Sequence, residues 1–268
     1  MSSLLAGRRG LIVGVANDRS LAAGIARSAA AQGARLALTY QSERLQGRVG
    51  AIAEALGAEL LLPLDLTDES QLAAAAAKLT DHFGALDFVV HAVAFARAED
   101  LTGRFIETSR EGFAEALDIS TYSLVALARS MEALLVRGDA PSLLTLTYLG
   151  SSRALPRYNV MGVAKAALES TVRYLAYELG PAGIRVNALS PGPVKTLSAA
   201  SIKGLRTMLN WNAEQAPLRR NVDADDVGAA ALFALSRLGR GTTGEIIHVD
   251  GGYHIVGAPK LDDEERPS

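Results

Sequence analysis

The chain has 268 residues, with 27 Lys+Arg against 29 Asp+Glu for a formal net charge of -2, and no cysteine. That balance excludes the electrostatic footprint of a nucleic-acid binder, and the lack of thiols excludes disulfides and thiolate metal sites. His82, His91, His248 and His254 show no ligand spacing, so no metal is expected.

In chain order, Arg8 and Arg9 precede the apolar run GLIVGVA, which stops at Asn17 and Asp18. The run is too short to span a membrane and lacks a signal peptide's cleavage region, so a cytoplasmic protein without membrane contact is expected. GLIVGV, the helical SLAAGIARSAAAQG and RLALTY make a strand-helix-strand unit. The alternation continues through ELLLPLD, QLAAAAAKLTDHFG, LDFVVHAVAF, a long helix from Glu111 to Leu135, SLLTLTYLG, a helix after Tyr158, IRVNALSPGP and EIIHVD. Gly33, Gly57, Gly84 and Gly183 fall where helices should end. Near-continuous apolar strands predict an α/β fold: a single-domain, doubly wound parallel sheet of about seven strands with helices on both faces. Loops following the strands then share one edge, where ligands bind. One domain over residues 1–257 is expected, with 258–268 as a charged, flexible tail and 193–220 as a long irregular binding loop.

The first strand-to-helix turn, GVANDRSLAAGIA, departs from the usual G-x-G-x-x-G, but Gly14 permits a tight turn and Ser20 can cap the helix that follows. A helix N-terminus there favours a dinucleotide's diphosphate, and the small Ala22 and Gly24 would let the helix approach the sheet. A plain glycine turn with a serine cap is the alternative. At the end of the second strand, Thr39 and Tyr40 are followed by neutral Gln41 and Ser42, with Arg44 arriving only later. A phosphorylated ribose would call for a cation immediately there, so NADH is favoured over NADPH, although the carboxylate that often marks NAD binding is missing. Asp65 and Leu66 follow the third strand, beside the expected adenine position; Asp65 or Thr67 could equally start the next helix. Tyr158 and Lys165, seven residues apart, lie on nearly one helix face, ~10 Å apart along the axis. They can share a ligand without touching each other.

The chain resembles the short-chain dehydrogenase/reductase superfamily, and within it the NADH-dependent enoyl-acyl carrier protein reductases, through nearly its whole length. The similarity rests on Gly14 with Ser20 and Ala22, TYQ at Thr39 to Gln41, REGFAEALDIS, YLG, Tyr158-x6-Lys165, RVNALSPGPVKTL, IKGLR, APLRR and GEIIHVDGG. Ordinary superfamily members space tyrosine and lysine four apart after a serine, so the wider spacing and Tyr148 point to enoyl reduction. The resemblance implies a Rossmann fold in which Lys165 holds the nicotinamide ribose and Tyr158 donates to the thioester carbonyl. Hydride adds to the β-carbon of a trans-2-enoyl thioester, and Tyr158 or water then protonates the α-carbon. Tyr148 would line the acyl pocket. Further implied cofactor contacts are Ala16, Leu21, Gln41, Asp65, Leu66, Ala92, Val194 and Thr196; implied pocket residues are Met161, Ser198, Ala199, Ile202 and Leu205. Lys203 and Arg206 would meet an acidic acyl carrier protein. A homotetramer is implied through the helices Glu111 to Leu135 and Tyr158 to Leu179.

Ala92 and Ala94 stand where the family usually has serine and glycine, Arg97 where proline is common, and Leu205 where a larger aromatic is usual. These put acyl length and inhibitor response in question rather than the reaction class. Two alternatives stay open at this stage. A carbonyl reductase would pair Tyr158 with Thr145 or Ser151, and an idle dinucleotide binder would bind NADH without turnover.

Overall fold

Short apolar runs buried on both faces can satisfy their backbone groups only by pairing with one another, and here they pair as parallel strands. The computed structural model describes residues 3–196 and 204–258. Among these residues the strands are β1 (Arg9–Val13), β2 (Arg35–Tyr40), β3 (Leu60–Pro63), β4 (Phe88–His91), β5 (Ser142–Leu146), β6 (Arg185–Pro191) and β7 (Ile246–Val249). They form one parallel sheet in the order β3-β2-β1-β4-β5-β6-β7. The direction of winding reverses between β1 and β4, which opens a crevice beyond their carboxyl ends.

The helices are α1 (Leu21–Ala31), α2 (Glu43–Ala55), α3 (Glu69–Phe83), α4 (Ala98–Thr102), α5 (Arg110–Leu117), α6 (Ser123–Leu135), α7 (Asn159–Leu179), α8 (Leu205–Gln215) and α9 (Ala224–Leu235). Successive residues of β1 feed opposite faces of the sheet. Leu11 and Val13 join a core with Leu79 of α3, Leu127 of α6 and Leu168 of α7. Ile12 joins Ile25 of α1, Val49 of α2 and Ala231 of α9 on the other side. Asp68 caps α3 through the Ser70 and Gln71 amides, and Gly84, at φ +70°, ends it.

The structure departs from the expected elements in four places. The helix expected from Glu111 to Leu135 contains a π-helical turn at Asp118–Tyr122, between α5 and α6. The stretch 193–220 is not wholly irregular, because α8 lies within it and buries Leu209 and Asn212. α4 and α9 go beyond the expected alternation; α9 is apolar over most of its surface, so its sequence shows little periodicity, and a capping box at Asp223 and Asp226 starts it. Finally, Gly24 serves close packing against α9 rather than against the sheet. A Cβ there would lie 2.8 Å from the Ala224 carbonyl carbon, and one at Gly228 would lie 2.6 Å from Gly24 O. Of the tail 258–268, only Ala258 is among the described residues.

Candidate active site

β1 ends at Val13, and Gly14 turns the chain at φ +104°. A Cβ at Gly14 would lie 2.6 Å from the carbonyl carbon of Ala92, so glycine is what lets the ends of β1 and β4 meet. Ser20 then caps α1: its hydroxyl donates to Asn17 O at 2.7 Å and accepts from Ala23 N at 3.3 Å. The first turn of α1 opens on a cavity of about 520 Å³ whose wall includes Gly14, Ala16, Ser20 and Leu21. Its partial positive charge suits a diphosphate. Ala92 and Ala94 bring the end of β4 to the same wall, and Val194 and Thr196 bring the segment after β6.

Gln41, Asp65 and Leu66 are not part of this wall. They sit beyond β2 and β3, where Gln41 Nε2 donates to Asp65 Oδ2 at 3.2 Å and Leu66 is buried. Burial pushes the Asp65 carboxyl up, but hydrogen bonds from Thr67 and Gln41 outweigh it and leave the group below the ordinary carboxylate range. A carboxylate thus stands beside Gln41 although β2 itself ends without one, and its charge would disfavour a phosphate bound next to Gln41. The residues present fit an unphosphorylated dinucleotide.

On the other side of the cavity, β5 delivers Tyr148, and α7 carries Tyr158 at its N-cap, Met161 in its first turn and Lys165 in its second. The rings of Tyr148 and Tyr158 meet edge to face, with centroids 5.1 Å apart and planes at 69°. The residues flanking Tyr158 adopt left-handed backbone, Arg157 at φ +62° and Asn159 at φ +36°, and Asn159 Nδ2 donates to Gly103 O at 2.9 Å. Such strain beside a cavity residue is characteristic of a held functional side chain. Lys165 is 5% exposed and donates to Leu146 O at 2.8 Å. That bond occupies one of three N–H directions, leaving donors for hydroxyls of a bound ligand. Burial pulls Lys165 down to about 8, with Glu169 acting in the opposite sense. Burial raises Tyr158 well above the ordinary phenol range, reinforced by Tyr148 and Glu169, and pushes Tyr148 up to about 12, reinforced by Tyr253. Both phenols therefore hold their protons at neutral pH and can donate.

Ser198, Ala199, Ile202 and Lys203 lie outside the described residues; Leu205 begins α8, and Arg206 beside it is exposed. Thr145 cannot partner Tyr158, because it is fully buried and its hydroxyl is bonded to His91 Nδ1 at 2.9 Å. Cavity residues absent from the expected set include Phe95, Leu101, Pro156 and Met208. Thr147 and Glu169 are also absent from it; Thr147 Oγ1 donates to Glu169 Oε1 at 2.7 Å. The signal for Glu169 was its position one helical turn beyond Lys165.

Known proteins resemble this chain over nearly its whole length. The family model described as enoyl-(acyl carrier protein) reductase matches residues 14–254. Enoyl-acyl-carrier-protein reductase (NADH) 1 of Rhizobium meliloti (strain 1021) is 51% identical over 261 residues, spanning 97% of this chain and 95% of its own. The crystal structure of the Anaplasma phagocytophilum reductase in complex with NAD superposes with a TM-score of 0.92 at 49% identity, covering 98% of this chain and 97% of its own. FabI from Candidatus Liberibacter asiaticus gives 0.93 at 42% identity, covering 97% of this chain and all of its own.

Proposed function

The chain belongs to the enoyl-acyl carrier protein reductase family and uses NADH, and on that premise we propose how its own residues reduce the trans-2 double bond of an enoyl thioester. When bound, NADH supplies the hydride that adds to the β-carbon. The observation that carries the assignment of roles is one cavity wall uniting a protonated Tyr158, a ring that braces it at Tyr148 and the buried ammonium of Lys165. Tyr158 donates its hydrogen to the thioester carbonyl oxygen, where negative charge builds as the double bond is reduced. Inside a largely apolar cavity such a donor is worth more than in water. Lys165 holds the cofactor's ribose hydroxyls and keeps positive potential beside Tyr158. Gly14, Ala16, Ser20 and Leu21 line the diphosphate region, with Ala92, Val194 and Thr196 toward the nicotinamide. Gln41, Asp65 and Leu66 flank the adenosine end. Met161 borders the acyl chain, and acyl-chain recognition is the role assigned also to Ser198, Ala199, Ile202 and Leu205.

Residues 1–257 act as one reductase domain, and the 193–220 segment contributes Val194, Thr196 and Met208 to the cavity wall. The substrate arrives on acyl carrier protein, with Lys203 and the exposed Arg206 meeting its acidic surface. The working form is a homotetramer. Among the described residues no helix is long and apolar enough to cross a membrane, and the cytoplasm is the proposed compartment.

The test is NADH oxidation with a trans-2-enoyl acyl carrier protein. Turnover is expected with the native chain, and Tyr158→Phe should lower kcat roughly 10- to 100-fold while leaving NADH affinity nearly unchanged. Undiminished turnover by Tyr158→Phe would remove Tyr158 from its role.

A further inference from the structure

Three consecutive residues at the carboxyl end of β5 each engage α7. Leu146 O accepts from Lys165 Nζ at 2.8 Å, Thr147 Oγ1 donates to Glu169 Oε1 at 2.7 Å, and the Tyr148 ring packs against Tyr158. Thr147 is itself tied down, because its amide donates to Leu189 O of β6 at 2.8 Å. Along β5 the Thr147 link thus lies between the contacts to Lys165 and Tyr158, while on α7 it lies one turn beyond Lys165. Glu169 is four residues beyond Lys165, so the carboxylate shares a helix face with the ammonium. A buried ammonium is costly unless an opposite charge compensates it. Leu146 O satisfies a hydrogen bond, but it carries no formal charge.

We propose that Glu169 is a positioning residue for the reductase reaction: bonded to Thr147 and one turn beyond Lys165, it keeps the lysine charged and held against the end of β5, ready for the cofactor's ribose. This rests on the ribose-binding role proposed for Lys165. Among the described residues, the titratable groups that act on the pair or lie against it include Tyr158 at the N-cap of α7, Tyr148 after β5, His91 on β4 and His248 on β7. Burial pushes His91 down to about 3, so it brings no charge of its own at neutral pH. His248 is also lowered, first by burial and then by His254, with Asp250 and Glu169 opposing. Glu169 is the group that opposes the effect of burial on Lys165.

Glu169→Gln separates charge from shape, because the amide oxygen can still accept from Thr147. Without the carboxylate, Lys165 should lose its proton at lower pH. The alkaline limb of kcat/KM for NADH should then move down by about one pH unit. NADH affinity should fall roughly 3- to 10-fold at pH 8.5 and match the native chain at pH 6. Glu169→Asp, which keeps the charge, should recover most of that shift. Superimposable pH profiles for Glu169→Gln and the native chain would overturn the proposal, as would a loss that is equal at every pH and tracks a lowered melting temperature. Lys165→Met serves as the control for the underlying reading. Native NADH affinity in Lys165→Met would mean that the ribose role of Lys165 is wrong. Lost affinity there, beside an unshifted Glu169→Gln profile, would mean that only the role of Glu169 is wrong.

Discussion

Gly150 governs the active site through an atom it lacks. A Cβ at this position would lie 2.6 Å from Cε1 of the Tyr158 ring and closer still to Cδ1, so the ring can rest against the loop after Tyr148 only because that surface is bare backbone. Tyr148 closes on the same ring from another side. Alanine at 150 would push the phenol away from the position proposed for its bond to a substrate oxygen, and a shift of about 1 Å at a reacting group can cost on the order of 100-fold. Gly150→Ala should therefore lower kcat at least roughly 10-fold, while NADH affinity, set by the turn after β1 and by Lys165 held on Leu146 O rather than by the Tyr158 ring, stays within about threefold. Stopped-flow turnover with a parallel NADH titration checks this; unchanged kcat would show that the ring tolerates displacement. The motif YLG was legible as part of a family resemblance, but the reason for its glycine was not, because that reason is a ring eight residues further along the chain.

The π-helical turn at Asp118–Tyr122, with Ser123 that follows it, bonds to three places around the cavity. Ser120 Oγ accepts from Phe95 N at 2.9 Å and donates to Phe95 O at 3.1 Å, which fixes one cavity residue. Thr121 Oγ1 donates to Ala164 O at 2.8 Å, next to Lys165. Ser123 Oγ donates to Ile119 O at 2.6 Å and so must accept from His91 Nε2–H at 2.8 Å, leaving His91 Nδ1 to accept from Thr145. This pattern needs a neutral imidazole, and burial followed by the Lys165 charge pushes His91 down to about 3. Its ordinary value in the unfolded chain is about 6.5, so between these limits the unfolded chain binds one more proton than the folded one at this residue. The stabilisation is complete above pH ~6.5 and is lost as pH falls toward ~3, at up to about 1.4 kcal/mol per pH unit. Urea unfolding of the native chain and His91→Gln across that window should give a shallower pH slope for the variant by up to one proton; parallel slopes would refute the assignment. Apolar periodicity runs unbroken from α5 into α6, and for that reason a single helix was expected there. The hydroxyls of the turn bond to partners 25 to 43 residues away in sequence, beyond the reach of local pattern.

At the scale of the whole molecule, what was legible is what repeats: strands such as Leu36–Leu38 buried on both faces, glycines in left-handed backbone after helices, and the Tyr158 to Lys165 spacing on one helix. What was not legible depends on a remote partner, as with Gly24 against α9, Asp65 bonded to Gln41, and Glu169 held by Thr147. The outer face of α7 extends the same logic beyond one chain. Its inner side is buried through Leu168, Val172 and Leu175, yet Tyr174 is 75% and Tyr177 85% exposed, and Val163 lies on the same stripe. Two large aromatic rings adjacent on a helix surface favour burial against another copy, in keeping with the proposed homotetramer. Glutamate at 177 would place a charge in that contact, where its desolvation would be uncompensated. Light scattering should give the native chain a mass four times its 28.1 kDa and Tyr177→Glu a smaller assembly at equal concentration. A native monomer would refute the tetramer, and a variant of undiminished mass would move the contact away from α7.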